Sequence, residues 1–91
     1  MKPKISIIIA TLNSGKTLKQ TLDSIRHQTY KNIELIIIDG LSSDNTLDLI
    51  KEYSDVVTKC ISERDNGIYE AFNKGITLAT GDYIGFIGSD D

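Results

Sequence analysis

Three aspartates stand where an apolar run gives out. Asp39 closes Leu35-Ile36-Ile37-Ile38, and Asp90 and Asp91 follow Tyr83-Ile84-Gly85-Phe86-Ile87. A carboxylate in a cleft accepts N–H groups, including the pairing-edge N–H of uracil, thymine or guanine, whereas cytosine presents an acceptor there and is repelled. Adjacent carboxylates at a strand end suit a hard divalent cation that keeps several waters and bridges substrate phosphates. Each also has a plainer reading. Asp39 beside Gly40 can cap local backbone groups, and Asp90-Asp91 can be a solvated pair. A third polar segment, Thr11-Leu12-Asn13-Ser14-Gly15, follows the apolar run Ile5-Ser6-Ile7-Ile8-Ile9.

The elements between these segments must bring them together. Leu35 to Ile38 shows no polar alternation, so both faces of that strand are expected to be covered, as in a parallel sheet under helices. Lys4 to Ala10 reads as the first strand, with Pro3 ahead of it where a missing N–H is tolerated. Leu18, Leu22 and Ile25 mark the buried stripe of a helix running from Ser14 or Gly15 to Gln28. His27 falls on the opposite side, exposed and without a ligand role. Ser42 to Asn45 supplies cap candidates for a second helix with Leu47, Ile50 and Tyr53 on one face. Val56 to Ile61 reads as a short third strand, with Cys60 an inert apolar filler. After the polar loop Glu63 to Gly67, a third helix turns Ile68, Phe72, Gly75, Ile76 and Ala79 to the core. Gly75 permits close approach to the sheet, and Gly81 is expected as a left-handed cap. Tyr83 to Ile87 is the fourth strand.

The pattern β-α-β-α-β-α-β predicts an α/β fold, a Rossmann-like parallel sheet with flanking helices on both faces or one. Strand order 3-2-1-4 puts the switch point between strands one and four. The loops of Thr11 and Asp90 then border one crevice with Asp39 beside them, at the edge where open α/β sheets bind ligands.

Composition sets the bounds. The chain has 91 residues, 10 Lys+Arg against 13 Asp+Glu and a net charge of -3, which allows one small domain. Slight acidity without a basic cluster argues against nucleic acid. A single cysteine excludes a disulfide framework and a cysteine-based zinc site, and fits a reducing, cytoplasmic compartment. No apolar run reaches the ~20 residues of a membrane span, and the first residues do not read as a signal peptide. A stop at Asp91, directly after an apolar strand and an acidic pair, reads as a piece of a longer protein.

Ala10-Thr11-Leu12-Asn13-Ser14-Gly15-Lys16-Thr17 imitates a phosphate-binding P-loop with one glycine missing. The apolar run ending in Asp39 imitates the acidic strand that helps hold magnesium in such proteins. Without the missing glycine, and with Leu12 and Asn13 inside the loop, a backbone cradle around phosphate is hard to form. That reading also leaves Ser42-Ser43-Asp44 and the terminal acids unused.

Taken in order, Ile7-Ile8-Ile9-Ala10-Thr11-Leu12-Asn13, Ile38-Asp39-Gly40-Leu41-Ser42-Ser43-Asp44-Asn45-Thr46, Asn66-Gly67, Asn73-Lys74-Gly75, Ala79-Thr80-Gly81-Asp82-Tyr83-Ile84 and Ser89-Asp90-Asp91 resemble glycosyltransferase family 2 along the whole chain. The segment Asp65 to Gly75 looks closest to members that build bacterial surface polysaccharides. The resemblance implies the N-terminal, nucleotide-sugar-binding half of a GT-A fold over residues 1–91. It implies an inverting transferase acting on a saccharide or lipid-linked acceptor, peripheral at the inner face of the membrane. Thr11 and Asn13 would lie along the nucleoside and Asp39 would accept the base N–H of a donor such as UDP-sugar. Ser42, Asp44, Asp65, Asn73, Lys74, Ser89 and Asp90 would complete the donor site. Ser89-Asp90-Asp91 looks like the family's Asp-x-Asp site, with Asp90 and Asp91 holding Mn²⁺ or Mg²⁺.

Three positions depart from the family pattern. Ala10 stands where proline is usual. Phe72 stands where many members have arginine, with Arg64 or Lys74 as substitutes. Gly88 stands where an acid or asparagine is common. The family's catalytic base lies well downstream and is not expected in this chain. The competing classes are a P-loop nucleotidase and a non-catalytic α/β interaction module. In the GT-A arrangement that the resemblance implies, further strands pair beside the fourth; without them, the 91 residues alone are expected to pair with a second copy through that edge, giving a homodimer.

Overall fold

The structure, a computed structural model, describes residues 3–13, 15–28, 30–64 and 68–88, with backbone alone at residues 16 and 68. Its elements alternate as β1 Ile5–Thr11, α1 Gly15–Arg26, β2 Ile33–Asp39, α2 Thr46–Glu52, β3 Lys59–Ser62, α3 Ile68–Leu78 and β4 Tyr83–Gly88. The four strands form one sheet in the order β3-β2-β1-β4, all pairs parallel. The switch point therefore lies between β1 and β4, as the sequence predicts. Thr11 pairs with Asp39 and Asp39 with Ser62, so the carboxyl ends of β1, β2 and β3 finish level.

The apolar run of β2 explains the layering. Leu35, Ile36, Ile37 and Ile38 are all fully buried, each contributing about 1.5–3 kcal/mol. Their side chains alternate between two cores. Leu35 and Ile37 join Ile9, Leu18, Leu22, Leu49, Ile50 and Tyr53 under α1 and α2. Ile36 and Ile38 join Ile8 and Ala71 under α3. Helices thus cover both faces. Gly75 makes the second core tight, since a Cβ there would lie 2.4 Å from Ile8 Cγ2.

Several expectations need correction. Helix α1 ends at Arg26, before Gln28, although its Leu18 and Leu22 are buried and His27 is exposed as expected. The buried residues of α2 are Thr46, Leu49 and Ile50, with Leu47 only partly buried. The third strand begins at Lys59, because Val56 and Val57 donate back to Tyr53 O in a turn and pairing opens only with Thr58 N on Leu35 O. Cys60 is exposed on this edge strand and fills no core. On α3, Ile76 is 44% exposed and Ala71 takes the deepest position. Gly81 lies three residues beyond α3 and is no left-handed cap. It is needed where a Cβ would meet Ser6 Oγ at 2.5 Å and Lys4 O at 2.9 Å.

Exposed apolar surface gathers on β4, the edge next to β1. Tyr83 is 64%, Ile84 41% and Phe86 48% exposed, and a Cβ on Gly85 would meet nothing. Among the described residues, no helix is long and apolar enough to cross a membrane.

Candidate functional site

Asp39 is fully buried at the carboxyl end of β2. Its Oδ1 accepts the Thr11 and Ser42 hydroxyls, each at 2.5 Å. Its Oδ2 accepts the Ser42 amide at 2.8 Å and the Ser62 hydroxyl at 3.0 Å. All four donors are neutral, and they come from β1, β3 and the loop after β2.

Asn13 joins the two loops around this carboxylate. With φ of 51° it takes the left-handed conformation that asparagine tolerates. Its Oδ1 accepts the amides of Ser43 at 2.8 Å and Asp44 at 3.2 Å, and its own amide donates to Ser42 Oγ at 2.8 Å. Asp44 acts at the start of α2. Its Oδ1 accepts the Thr46 amide at 2.9 Å and the Thr46 hydroxyl, while Oδ2 accepts the Gly15 amide at 3.3 Å. The Thr46 hydroxyl above all holds the Asp44 carboxyl below its ordinary value. Asn45, at the cap position itself, makes no side-chain cap. Leu41 sits between these groups with φ of 63° and 55% exposed, in a region that costs a non-glycine residue roughly 1 kcal/mol.

This geometry disposes of the P-loop. The amides of Asn13 and Gly15 are spent on Ser42 and Asp44. A Cβ on Gly15 would overlap Asn45 Oδ1 at 2.0 Å. Those two amides point at the neighbouring loop and are not turned toward a phosphate cradle.

The structure thus brings Thr11, Asn13, Asp39, Ser42 and Asp44 together. Lys74 reaches the same rim from α3, bonding Glu63 Oε1 at 3.0 Å and Arg64 O at 3.2 Å. Glu63 in turn donates its amide to Asp39 O at 2.9 Å. Asn73, also on α3, is exposed. Phe72, at the position where arginine was the expected residue, packs on Phe86 with ring centroids 4.6 Å apart. Asp65, Ser89, Asp90 and Asp91 lie outside the described residues. Ser62 escaped the sequence reading. Its signal was being the polar residue at the end of the third strand, which gains meaning only once that strand is in register with Asp39.

A family model described as glycosyl transferase family 2 matches residues 6–91. The chain belongs to that family. It is 44% identical over 92 residues to a PGL/p-HBAD biosynthesis glycosyltransferase of Mycobacterium bovis, covering 98% of this chain and 36% of that protein. It is 43% identical over 88 residues to WfaP of Escherichia coli, a UDP-Glc:alpha-D-GlcNAc-diphosphoundecaprenol beta-1,3-glucosyltransferase, covering 96% of this chain and 35% of that protein. Among solved structures, glucosyl-3-phosphoglycerate synthase of Mycobacterium tuberculosis, in complex with Mn²⁺, UDP and glucosyl-3-phosphoglycerate, matches with a TM-score of 0.80 at 25% identity. That match covers 96% of this chain and 33% of the synthase. The fold of this family 2 chain is that of the GT-A glycosyltransferases. The chain spans about a third of the length of these relatives.

Proposed function

We propose that the protein transfers a sugar from a nucleoside-diphosphate sugar to an acceptor in polysaccharide synthesis, inverting the anomeric carbon, and that this chain holds the donor. One observation carries the reading. Asp39 is a fully buried carboxylate at the carboxyl end of the sheet, and among the described residues the donors on it are all neutral. Among the described residues no cation is paired with it, and the pairing-edge N–H of uracil, thymine or guanine suits it. WfaP is named for a UDP-glucose donor, and the mycobacterial synthase was solved with UDP and Mn²⁺.

In this reading Thr11 lines the nucleoside. Asn13, Ser42 and Asp44 shape the loops from behind, since their polar atoms are committed to one another. Asp65, Asn73, Lys74 and Ser89 complete the donor site. Among the described residues no group of three or more His, Cys, Asp or Glu stands together. The divalent cation, Mn²⁺ or Mg²⁺, is therefore assigned to Asp90 and Asp91 on sequence alone. When bound, such a cation supplies neutralising charge for the departing diphosphate. Deprotonation of the acceptor hydroxyl falls to a base elsewhere in the protein. The acceptor is a saccharide or a lipid-linked saccharide, and the protein works at the inner face of the membrane.

Titration calorimetry of the full-length protein tests this. UDP binding is expected to require Mn²⁺ or Mg²⁺, and Asp39→Ala is expected to weaken it by about 1–3 kcal/mol, the usual cost of removing a buried polar partner. Equal UDP affinity in wild type and Asp39→Ala would overturn the role of Asp39. Tight UDP binding that survives both chelator and the joint change Asp90→Asn, Asp91→Asn would overturn the cation assignment.

A further inference from the structure

Asp39 is fully engaged, with two hydrogen bonds on each oxygen. A ligand N–H reaches it only by taking the place of one of those donors. Three of them are tied down. One is the backbone amide of Ser42. The second, the Ser42 hydroxyl, also accepts the Asn13 amide at 2.8 Å, so moving it would open the bracket between the loops. The third, on Thr11, belongs to a residue only 4% exposed within β1.

Ser62 differs on each count. It is exposed, it ends the four-residue edge strand β3, and among the described residues its hydroxyl makes one hydrogen bond, at 3.0 Å the longest of the four. A serine hydroxyl turns about a single torsion between staggered positions. Oδ2 of Asp39 is thus the acceptor a ligand can gain, and Ser62 is the group it displaces.

We propose that Ser62 determines nucleobase specificity. Its hydroxyl holds Oδ2 of Asp39 until the donor arrives, yields that position to the base N–H, and turns to donate to the carbonyl beside that N–H. The exchange leaves no group unpaired. One hydrogen bond, O–H to Oδ2, is replaced by two, N–H to Oδ2 and O–H to the base carbonyl. The pairing edge of uracil or thymine reads carbonyl, N–H, carbonyl, and fits in either orientation. Guanine has a carbonyl on one flank and an amino group on the other, so it fits in only one. Cytosine lacks the N–H. The inference rests on the proposed function and deepens it, since the site then requires of the donor's base a carbonyl beside the N–H, which uracil and thymine offer on both flanks and guanine on one.

The test uses the full-length protein and four probes: UDP, 2-thio-UDP, 4-thio-UDP and N3-methyl-UDP. Wild type is expected to reject N3-methyl-UDP and to prefer UDP several-fold over the thio analogue whose sulfur replaces the contacted carbonyl oxygen. Ser62→Ala removes one hydrogen bond from the free protein and one from the complex, so it is expected to change little in its affinity for UDP and to lose the discrimination between UDP and that analogue. Ser62→Thr, which keeps the hydroxyl, is expected to recover most of it. A merely structural role for Ser62 would leave the ratio between the analogues untouched. Ser62→Ala keeping the thio discrimination would overturn the inference while leaving the donor reading intact. Failure of wild type to bind UDP at all would overturn both.

Discussion

Strand β2 carries a buried carboxylate at each end, and the two are partnered differently. Glu34, at the amino end, is 3% exposed and faces Lys59 Nζ at 3.2 Å and Lys4 Nζ at 4.0 Å. It also accepts the Ser6 hydroxyl at 2.8 Å and the Thr80 amide and hydroxyl, each at 2.9 Å. Burial pushes the Glu34 carboxyl up, but these hydrogen bonds outweigh it and hold the group at about 2. Asp39, at the carboxyl end, has hydroxyls and one amide instead. Glu34's partners lie on β1, on β3 and in the turn before β4, so this one side chain ties the four strands. Asp39's partners lie largely in or beside loops. The Glu34 carboxylate, closed by lysines, ties strands together, whereas among the described residues Asp39 is held by hydroxyls and an amide with no cation beside it.

The sharpest way to break this contrast is to remove the charge at each end. Glu34→Gln is expected to lower unfolding free energy by about 2–3 kcal/mol, since it leaves charge-assisted partners unpaired. UDP affinity of the folded protein is expected to stay as it was. Urea denaturation and calorimetry on the same variant decide it, and a loss of UDP binding like that of Asp39→Ala would mean that the two ends are not separable.

Acid offers a second route. A carboxyl at about 2 when folded and at its ordinary 4.5 when unfolded takes up its proton more readily in the unfolded chain. The stability it confers is complete above pH 4.5 and is lost as pH falls toward 2. Urea midpoints measured down that range should fall less steeply in Glu34→Gln than in wild type. Parallel curves would deny Glu34 this part.

Smaller effects are expected at the other end. Thr11→Val keeps the side-chain shape and deletes one donor to Asp39, costing about 1 kcal/mol of stability and weakening UDP binding several-fold. Unchanged UDP binding would show that Asp39 does not depend on Thr11 for its orientation. The smallest effect is a gain. Leu41→Gly relieves the left-handed backbone, and after the added chain entropy about 0.5 kcal/mol of stabilisation remains. A loss on thermal melting would mean that the Leu41 side chain holds more than its 55% exposure suggests.

What could be read from the residues followed from local pattern. Four consecutive branched residues in β2 demanded cover on both faces, and the short connections fixed the parallel order. Gly75 in an apolar stripe announced close packing. What escaped depended on partners far along the chain. In a seven-residue helix the stripe Leu47, Ile50 and Tyr53 does meet one core, but the spacing does not reveal that Leu49 is buried deeper than Leu47. Gly81 reads as a cap from its neighbours alone, but Ser6, 75 residues earlier, sets its need. Glu34 looks like the polar start of an apolar strand until Lys59 and Thr80 close over it. Ser62 acquires its place only through the register of β3 with β2. The likeness to a phosphate-binding loop around Gly15 is not supported by the structure, where the Asn13 and Gly15 amides point at the neighbouring loop.

Strand β1 pairs with β2 at a separation of 28 residues, Ile5 with Ile33, and with β4 at 78, Ile5 with Tyr83. Synthesis at about 5–20 residues per second puts roughly 2–10 s between the completion of β2 and the arrival of β4. Through that interval the strand that is interior in the finished sheet has one bare edge, with Ile7, Ile8 and Ile9 along it. The nascent chain therefore passes through its most adhesive state midway, and a chaperone that shields bare strands has its moment there. Chains stopped before Tyr83 are expected to aggregate more readily than chains that extend past Gly88, a difference that light scattering during refolding would register.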